Sequence, residues 1–243
     1  MLIYLNKMTF LLGKFDQVVD QIVSTFSKSK TSRIIFPTTL HELALSEDKN
    51  VARFYQQINY STCDSMLLTY FFRYQTKKKI DRVYGPELIL AILDRCAKTK
   101  KPVKNLFLAP DKKTMREMSV LLAQKYPQIP CTFAYLPKNL SKQQEVTYLN
   151  KINFVGQGLV WIGIGSPKQI ELANWFKSNY QNVDVFCVGA AFDFLTGQKK
   201  QAPKWMQKHG LEWFFRLITE PRRLWRRYLI IIPKYLLKVI FFR

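Results

Sequence analysis

A carboxylate and an arginine are the first candidates for chemistry in this sequence. Asp64 lies among small polar residues in Ser61-Thr62-Cys63-Asp64-Ser65, where a carboxylate can act as a general base or cap a helix. The pattern alone favours the helix cap. Arg82 can clamp a diphosphate in bidentate fashion, and an ion pair with Asp81 or Glu87 on the surface is the plainer alternative.

Two turns after apolar runs are candidates for binding a nucleotide. The first reads Gly163-Ile164-Gly165-Ser166-Pro167-Lys168-Gln169, and free backbone N–H groups at the start of a following helix can hold a phosphate. An ordinary tight turn is the more common explanation of two such glycines, and the third glycine of the dinucleotide fingerprint does not follow. The second turn is Gly189–Asp193, which includes Ala191 and Phe192.

Metal ligands are scarce in the sequence. His41 and His209 are the two histidines, the four cysteines form no Cys-x-x-Cys pair, and no Asp-x-Asp motif is present. We therefore expect no metal and no other cofactor. Widely spaced cysteines also suit a reducing cytosol, and the N-terminus lacks the basic leader of a signal peptide.

Alternating apolar runs and amphipathic segments predict an α/β fold, with a mostly parallel sheet and helices on both faces. The sequence predicts strands at Arg33–Phe36, Val103–Ala109, Leu159–Ile164 and Val183–Val188, with a turn at Pro37-Thr38-Thr39. It predicts helices at Phe15–Phe26, Leu40–Asn59, Pro86–Lys98, Thr114–Lys125 and from Pro167 to Asn179, and an apolar segment at Met66–Arg73 that is either helical or extended. In such sheets ligands bind beyond the carboxyl ends of the strands, where both turns would lie.

The chain divides by composition into a core, residues 1–198, and a C-terminal appendage, residues 199–243. The appendage has 12 basic and 2 acidic residues, in a chain whose net charge is +21. Tryptophan, tyrosine and phenylalanine alternate there with arginine and lysine, which is typical of helices that lie in a membrane interface. We expect helices at Pro203–Gly210 and Leu211–Thr219, and a third from Pro221 that Pro233 breaks.

The charge alone also permits a nucleic-acid-binding protein, which would show a steep salt dependence of binding. The runs Leu-Ile-Ile-Ile and Val-Ile-Phe-Phe of the appendage are too apolar for a nucleic-acid surface. We therefore expect no nucleic-acid partner.

Four long segments resemble the WecG/TagA/CpsF family of bacterial glycosyltransferases, glycosyltransferase family 26. They read IDRVYGPELI, WIGIGSPKQ, VGAAFDFLTGQKKQAPKWM and GLEWFFRLITEPRRLWRRY. The resemblance extends from about Arg33 to Tyr235. It implies a Rossmann-like core and an appendage that docks on the cytoplasmic face of the bacterial plasma membrane as a peripheral protein. It also implies inverting transfer of a sugar, typically N-acetylmannosamine, from a UDP-sugar to a polyprenyl-diphosphate-linked acceptor in teichoic acid, capsule or exopolysaccharide synthesis.

The resemblance also implies roles for single residues. Asp64 matches the family's general base, and Arg82 matches the arginine of an Arg-Val-x-Gly block that here continues into Tyr84 and Gly85. Thr38 and Gln169 match residues of the active site. The arginines of the appendage that match those proposed to reach the diphosphates are Arg216, Arg223 and Arg226. The nucleotide pocket would be lined by Gly163, Gly165, Pro167, Lys168, Ala191, Phe192 and Asp193.

The sequence departs from the family pattern after the strand Val103–Ala109, where Ala109-Pro110 stands in place of glycines, and at three single positions. Leu40 replaces an asparagine, Ser65 replaces the glycine after the catalytic aspartate, and Ile170 replaces a glutamate. These departures motivate an alternative, a catalytically weak, membrane-bound family member that serves as an assembly partner.

Overall fold

One eight-stranded sheet forms the centre of the protein. The structure is a computed structural model and describes residues 1–26, 31–99, 103–152, 154 and 156–241. The strands are β1 (Leu2–Leu5), β2 (Met8–Leu11), β3 (Arg33–Thr38), β4 (Tyr60–Cys63), β5 (Lys104–Ala109), β6 (Cys131–Tyr135), β7 (Gly158–Ile162) and β8 (Val183–Cys187). Their order across the sheet is β1-β2-β4-β3-β8-β7-β5-β6. Only the β1–β2 hairpin pairs antiparallel among these strands, and the other pairs are parallel.

Helices cover both faces of the sheet, as the apolar strands require. The helices of the core are α1 (Phe15–Phe26), α2 (Leu40–Leu45), α3 (Ala52–Tyr55), α4 (Met66–Thr76), α5 (Gly85–Ala97), α6 (Lys112–Lys125), α7 (Lys142–Asn150), α8 (Lys168–Asn179) and α9 (Ala191–Leu195). One face packs against α2, α3, α4 and α8. The other packs against α1, α5, α6 and α9. The predicted fold class is therefore confirmed.

The appendage is helical and packs against the core. It contains α10 (Lys204–Lys208), α11 (Glu212–Thr219), α12 (Pro221–Arg226), a π-helical turn (Arg227–Ile231) and α13 (Ile232–Phe241). Leu224 and Tyr235 are buried, and Lys238 Nζ lies 2.6 Å from Glu47 Oε2 of the core. No helix among the described residues is long and apolar enough to cross a membrane.

Three local predictions were wrong. Strand β3 continues through Pro37 and Thr38, which pair with β4, so the expected turn there is absent. The expected helix Leu40–Asn59 is two short helices, because the chain turns at 48–51 between them. Pro233 breaks nothing. The N–H of Ile232 bonds to the carbonyl of Arg227, five residues back, and this wider turn carries the helix past the proline.

Candidate active site

A cavity of about 1000 Å³ lies at the carboxyl ends of the central strands. The segments that follow β3, β4, β5, β7 and β8 form its floor, as a parallel sheet predicts. The appendage closes one side with residues from α11, α12, the π-helical turn and α13. The ionisable residues that line it include His41, Glu42, Asp64, Arg82, Asp111, Asp193, Lys199, Glu212, Arg216, Arg223, Arg226 and Arg227.

Asp64 lies on the cavity wall directly after β4. Its backbone N–H bonds to the carbonyl of Thr38, which fixes the chain at this point. The expected helix-cap role of Asp64 was wrong, because the Ser65 hydroxyl accepts the N–H of Leu68 and caps α4. The Asp64 carboxylate is therefore left free for the cavity, and its side chain is 22% exposed.

The proton affinity of Asp64 is raised by its surroundings. Burial raises the pKa of the carboxyl to about 6, while the positive charge of Arg82 opposes the rise and the negative charge of Glu212 supports it. Arg216 and Arg227 lower the pKa further. A carboxylate with such a pKa is mostly ionised at neutral pH and still takes up a proton readily, which suits a general base.

Arg82 contacts two carboxylates of the cavity. Its Nη1 lies 2.7 Å from Glu212 Oε2 and its Nη2 lies 3.5 Å from Asp64 Oδ1. Its Nε donates to the backbone carbonyl of Asp64, and its guanidinium lies 4.2 Å from the centre of the Tyr84 ring. The expected surface pair with Asp81 or Glu87 is absent among the described residues, since Arg82 is largely buried and faces inward.

Four arginines of the appendage line the cavity. The Nε atoms of Arg216 and Arg227 are buried and have no hydrogen-bond partner in the described part of the chain. Arg227 donates to Thr39 Oγ1 at 3.2 Å. Arg223 pairs with Glu220 at 2.6 Å, and Arg226 lies beside the Trp225 ring. Arg216 and Arg227 are therefore the two best placed to receive a further anion.

Gln169 joins the two predicted binding turns. Its side chain is 3% exposed. Its Oε1 accepts the N–H of Gly189 at 3.0 Å, and its Nε2 donates to Ser166 at 2.9 Å. Gly189 has φ of +56°, a conformation that glycine adopts without strain. Gln169 thus holds the turn after β8 against the turn after β7.

Gly163 is required by packing beneath the cavity. A Cβ at this position would lie 2.4 Å from the ring of Phe192, which is fully buried. Gly163, Gly165 and Ala191 line the cavity, as does Asp193, which pairs with Lys199. Phe192 supports the turn from below instead of lining it.

Four other predicted residues lie outside the cavity wall. Lys168 turns away and pairs with Glu145 at 2.7 Å, on α7. Pro167 and Gly85 do not line the cavity. Thr38 is fully buried and its hydroxyl donates to the carbonyl of Phe36, so Thr39 and not Thr38 faces the cavity.

A second group of polar residues at the cavity, Glu42 with Tyr55 and His41, was not predicted from the sequence. The Tyr55 hydroxyl donates to Glu42 Oε2 at 2.7 Å, and Glu42 lines the cavity beside His41. Burial opposes the charge of Glu42, yet His41, Arg227 and Tyr55 together hold its pKa below its usual value. Glu42 and Tyr55 lie in the segment that was predicted as one continuous helix. The contact between them forms because the chain turns between α2 and α3, and the sequence did not predict that turn.

A metal site is not evident in the described part of the chain. No three His, Cys, Asp or Glu side chains there are grouped so that they can hold an ion. That the protein needs no metal or other cofactor stays a prediction.

A family model described as "Glycosyl transferase WecG/TagA/CpsF family" matches residues 3–243. The chain belongs to this family. The predicted family and the predicted class of enzyme, a glycosyltransferase, are therefore confirmed.

Two relatives have the same name, N-acetylglucosaminyldiphosphoundecaprenol N-acetyl-beta-D-mannosaminyltransferase. The protein of Bacillus spizizenii is 29% identical over 159 residues, which cover 65% of this chain and 59% of that protein. The protein of Bacillus subtilis is 23% identical over 239 residues, which cover 97% of this chain and 90% of that protein.

Proposed function

We propose that this glycosyltransferase moves N-acetylmannosamine from UDP to the N-acetylglucosamine of a polyprenyl-diphosphate acceptor, with inversion at the anomeric carbon. Its role would be in the synthesis of a cell-surface polysaccharide. The names of the two relatives support the sugar and the acceptor. The proposal depends above all on one observation: the partly buried carboxylate of Asp64 lies in the same cavity as Arg82 and four arginines of the appendage.

Asp64 is the proposed general base. An acceptor hydroxyl attacks the anomeric carbon of the donor, and its proton passes to the Asp64 carboxylate. The bond between the anomeric carbon and the UDP oxygen breaks, and UDP leaves with the electron pair. The raised pKa of about 6 fits this role, because the ionised form dominates at neutral pH.

Arginines are proposed to stabilise the negative charge on the departing UDP. Arg216 and Arg227 have buried Nε atoms without a hydrogen-bond partner among the described residues, so both can bind phosphate oxygens at little reorganisation cost. Arg223 and Arg226 line the same side of the cavity. This arrangement would supply the field that a metal ion supplies in other transferases.

The appendage is proposed to rest on the cytoplasmic face of the plasma membrane. Exposed apolar side chains lie on its helices and at their ends, namely Trp205, Leu211, Phe214, Ile218, Trp225, Leu229 and Leu237. Arginines and lysines lie among them, and each contributes about 1 kcal/mol near an anionic lipid surface. Ile231, Ile232 and Leu236 also line the cavity, so an acceptor held in the membrane would reach Asp64 beside this segment.

The test is acceptor-dependent UDP release. Purified protein is given a panel of UDP-sugars and a short-chain polyprenyl-diphosphate-GlcNAc acceptor in anionic vesicles. We expect release with UDP-N-acetylmannosamine, and at least a hundredfold less with Asp64→Asn, since a general base contributes about 10²–10⁴-fold. Release that needs no acceptor, or that Asp64→Asn leaves intact, would defeat the proposal.

A catalytically weak family member is the second candidate. One departure from the family pattern supports it, because the apolar Leu40 lines the cavity where the family has an asparagine. Ser65 is accounted for as a helix cap, and Ile170 is buried in the core away from the cavity. UDP binding without turnover with any donor would favour this candidate.

A further inference from the structure

Glu212 and Asp64 share one arginine, although they come from separate parts of the chain. Glu212 begins α11 of the appendage, while Asp64 and Arg82 belong to the core. The side chains of Arg82, Glu212 and Asp64 are 14%, 15% and 22% exposed, so solvent screens their charges only in part. The three side chains carry two negative charges and one positive charge.

The contacts of Arg82 are unequal. The distance from Arg82 Nη1 to Glu212 Oε2 is 2.7 Å, a close ion pair, whereas the distance from Arg82 Nη2 to Asp64 Oδ1 is 3.5 Å. Glu212 thus takes the strong contact of the guanidinium. Without it, Arg82 is free to turn both of its terminal nitrogens towards Asp64, in the bidentate geometry that arginine and carboxylate prefer.

We propose that Glu212 is a positioning residue for transfer: it occupies Arg82 and so leaves the Asp64 carboxylate free to accept the proton of the acceptor hydroxyl. This inference rests on the proposed role of Asp64 as general base. It also couples the appendage to the chemistry, because Asp64 is a competent base only while α11 lies against the core.

The other charged groups around Asp64 do not replace Glu212. Arg82, Arg216 and Arg227 all favour the ionised carboxylate, and burial favours the neutral one. Tyr84 and Cys63 also lie beside Asp64, and the pKa of each is raised well above its usual value, first by burial, so both are uncharged at neutral pH. Glu212 is therefore the acidic group that balances the arginines at this site.

A direct titration of Asp64 tests the proposal without any assay of activity. The full-length protein is labelled with ¹³C at its aspartate carboxyls, and Asp64→Asn identifies the Asp64 signal. In Glu212→Gln we expect the pKa of Asp64 to fall by about one unit, the lower end of the effect of a close charge. The matched control is Glu220→Gln, which removes the same charge from the appendage but from the partner of Arg223. Glu220→Gln should leave the pKa of Asp64 unchanged.

In Glu212→Gln the acid limb of the profile of kcat/KM against pH should shift to lower pH by the same amount. Glu212→Asp should bring the limb most of the way back to its wild-type position. Resistance of residues 198–203 to limited proteolysis checks that α11 stays docked. An unchanged Asp64 titration in docked Glu212→Gln, or an equal shift in Glu220→Gln, would overturn the proposal. If no donor supports transfer, the proposed function fails, and the titration still decides the role of Glu212.

Helix α4 of the core has an exposed face that continues the apolar surface of the appendage. Leu67, Tyr70 and Tyr74, at helical spacing, are 45%, 39% and 78% exposed, while Leu68 and Phe72 on the opposite face are buried. The Tyr70 hydroxyl donates to the carbonyl of Lys208, on α10. The face of α4 and the appendage therefore form one continuous surface.

Three lysines follow the C-terminal end of α4, where its exposed face ends. Lys77, Lys78 and Lys79 are exposed, and Lys77 Nζ lies 4.2 Å from the centre of the Tyr74 ring. Tyrosines beside lysines at the end of an apolar helix face match the headgroup region of an anionic membrane in both polarity and charge.

We infer that the face of α4, with Lys77–Lys79, is a second contact with an anionic lipid surface, supplied by the core and not by the appendage. Binding of the full-length protein to equimolar phosphatidylglycerol–phosphatidylcholine vesicles tests this inference. Tyr74→Ser and the pair Lys78→Glu with Lys79→Glu should each weaken binding, the latter by about tenfold or more.

Matched controls come from parts of the core surface outside the face of α4. Tyr4→Ser removes another exposed tyrosine, and Lys125→Glu with Lys151→Glu reverses two charges at helix ends on the opposite edge of the sheet. Both should leave vesicle binding unchanged. Equal effects of control and α4 variants would overturn the inference. So would a changed oligomeric state with unchanged vesicle binding, which would indicate a second copy of the chain as the occupant.

Discussion

Replacing Asp64 with asparagine should cost the protein its activity and yet stabilise its fold at neutral pH. Burial raises the pKa of the carboxyl from 3.8 to about 6 even though Arg82 opposes the rise. Ionised Asp64 is thus less favourable in the folded protein than in the unfolded chain. Asparagine has nearly the same shape and removes the charge.

The magnitude follows from the pKa. A rise of about two units, at about 1.4 kcal/mol for each unit, gives a penalty of at most about 3 kcal/mol. Because the folded-state pKa lies above the unfolded one, the penalty is absent below about pH 4 and complete only above about pH 6. The stabilisation by Asp64→Asn should therefore be largest at neutral pH and vanish in acid.

Urea unfolding, followed by tryptophan fluorescence at neutral pH and again below about pH 4, measures the free energy of unfolding. Asp20→Asn is the control, because Asp20 is 66% exposed on α1 and its pair with Arg95 contributes little. Equal stability changes at both pH values, or a less stable Asp64→Asn at neutral pH, would refute the account of the site's electrostatics. Retained turnover would refute the account of its chemistry.

Three further predictions address the appendage, the binding turns and the core. Truncation after Gly197 should abolish transfer, measured by UDP release, and weaken vesicle binding, measured by sedimentation, to what the α4 face alone supports. An active truncated protein would contradict the role of the appendage in closing the cavity. Gln169→Ala leaves the N–H of Gly189 without its partner. The free energy of unfolding, measured by urea titration, should fall by about 1–3 kcal/mol, and the affinity for UDP, measured by calorimetry, should fall as well. Arg33→Met leaves the buried Asp184 unpaired and should destabilise the protein by about 3–5 kcal/mol, whereas adding Asp184→Leu should recover much of the loss.

The sequence predicted the centre of the fold well. The four predicted strands are buried on both faces, and such strands are continuous apolar runs that stand out in a sequence. The hairpin β1–β2 was missed, because its strands have four residues each and its turn is Asn6-Lys7, both with positive φ, in place of the usual glycine. Strand β4 was missed because Tyr60–Cys63 is short and half polar.

The site was predicted in its parts and not in its pairings. Asp64, Arg82, Arg216, Arg223 and Arg226 were named from the family resemblance, and the structure brings them to one cavity. Arg227, which lines the same cavity, was not predicted. That Arg82 pairs with Glu212 could not be read from the sequence, since the two are far apart in the chain while Asp81 and Glu87 are near. Thr38 and Thr39 are neighbours, and only the exact end of β3 decides which faces the cavity.

The most direct test of the central claim is the transfer itself, followed to its product. Wild-type protein and Asp64→Asn are each given UDP-N-acetylmannosamine and the lipid-diphosphate acceptor in vesicles, and NMR of the product gives the configuration of the new bond. The account predicts a product with inverted configuration from the wild type and almost none from Asp64→Asn. A product with retained configuration, or a similar yield from both proteins, would contradict it.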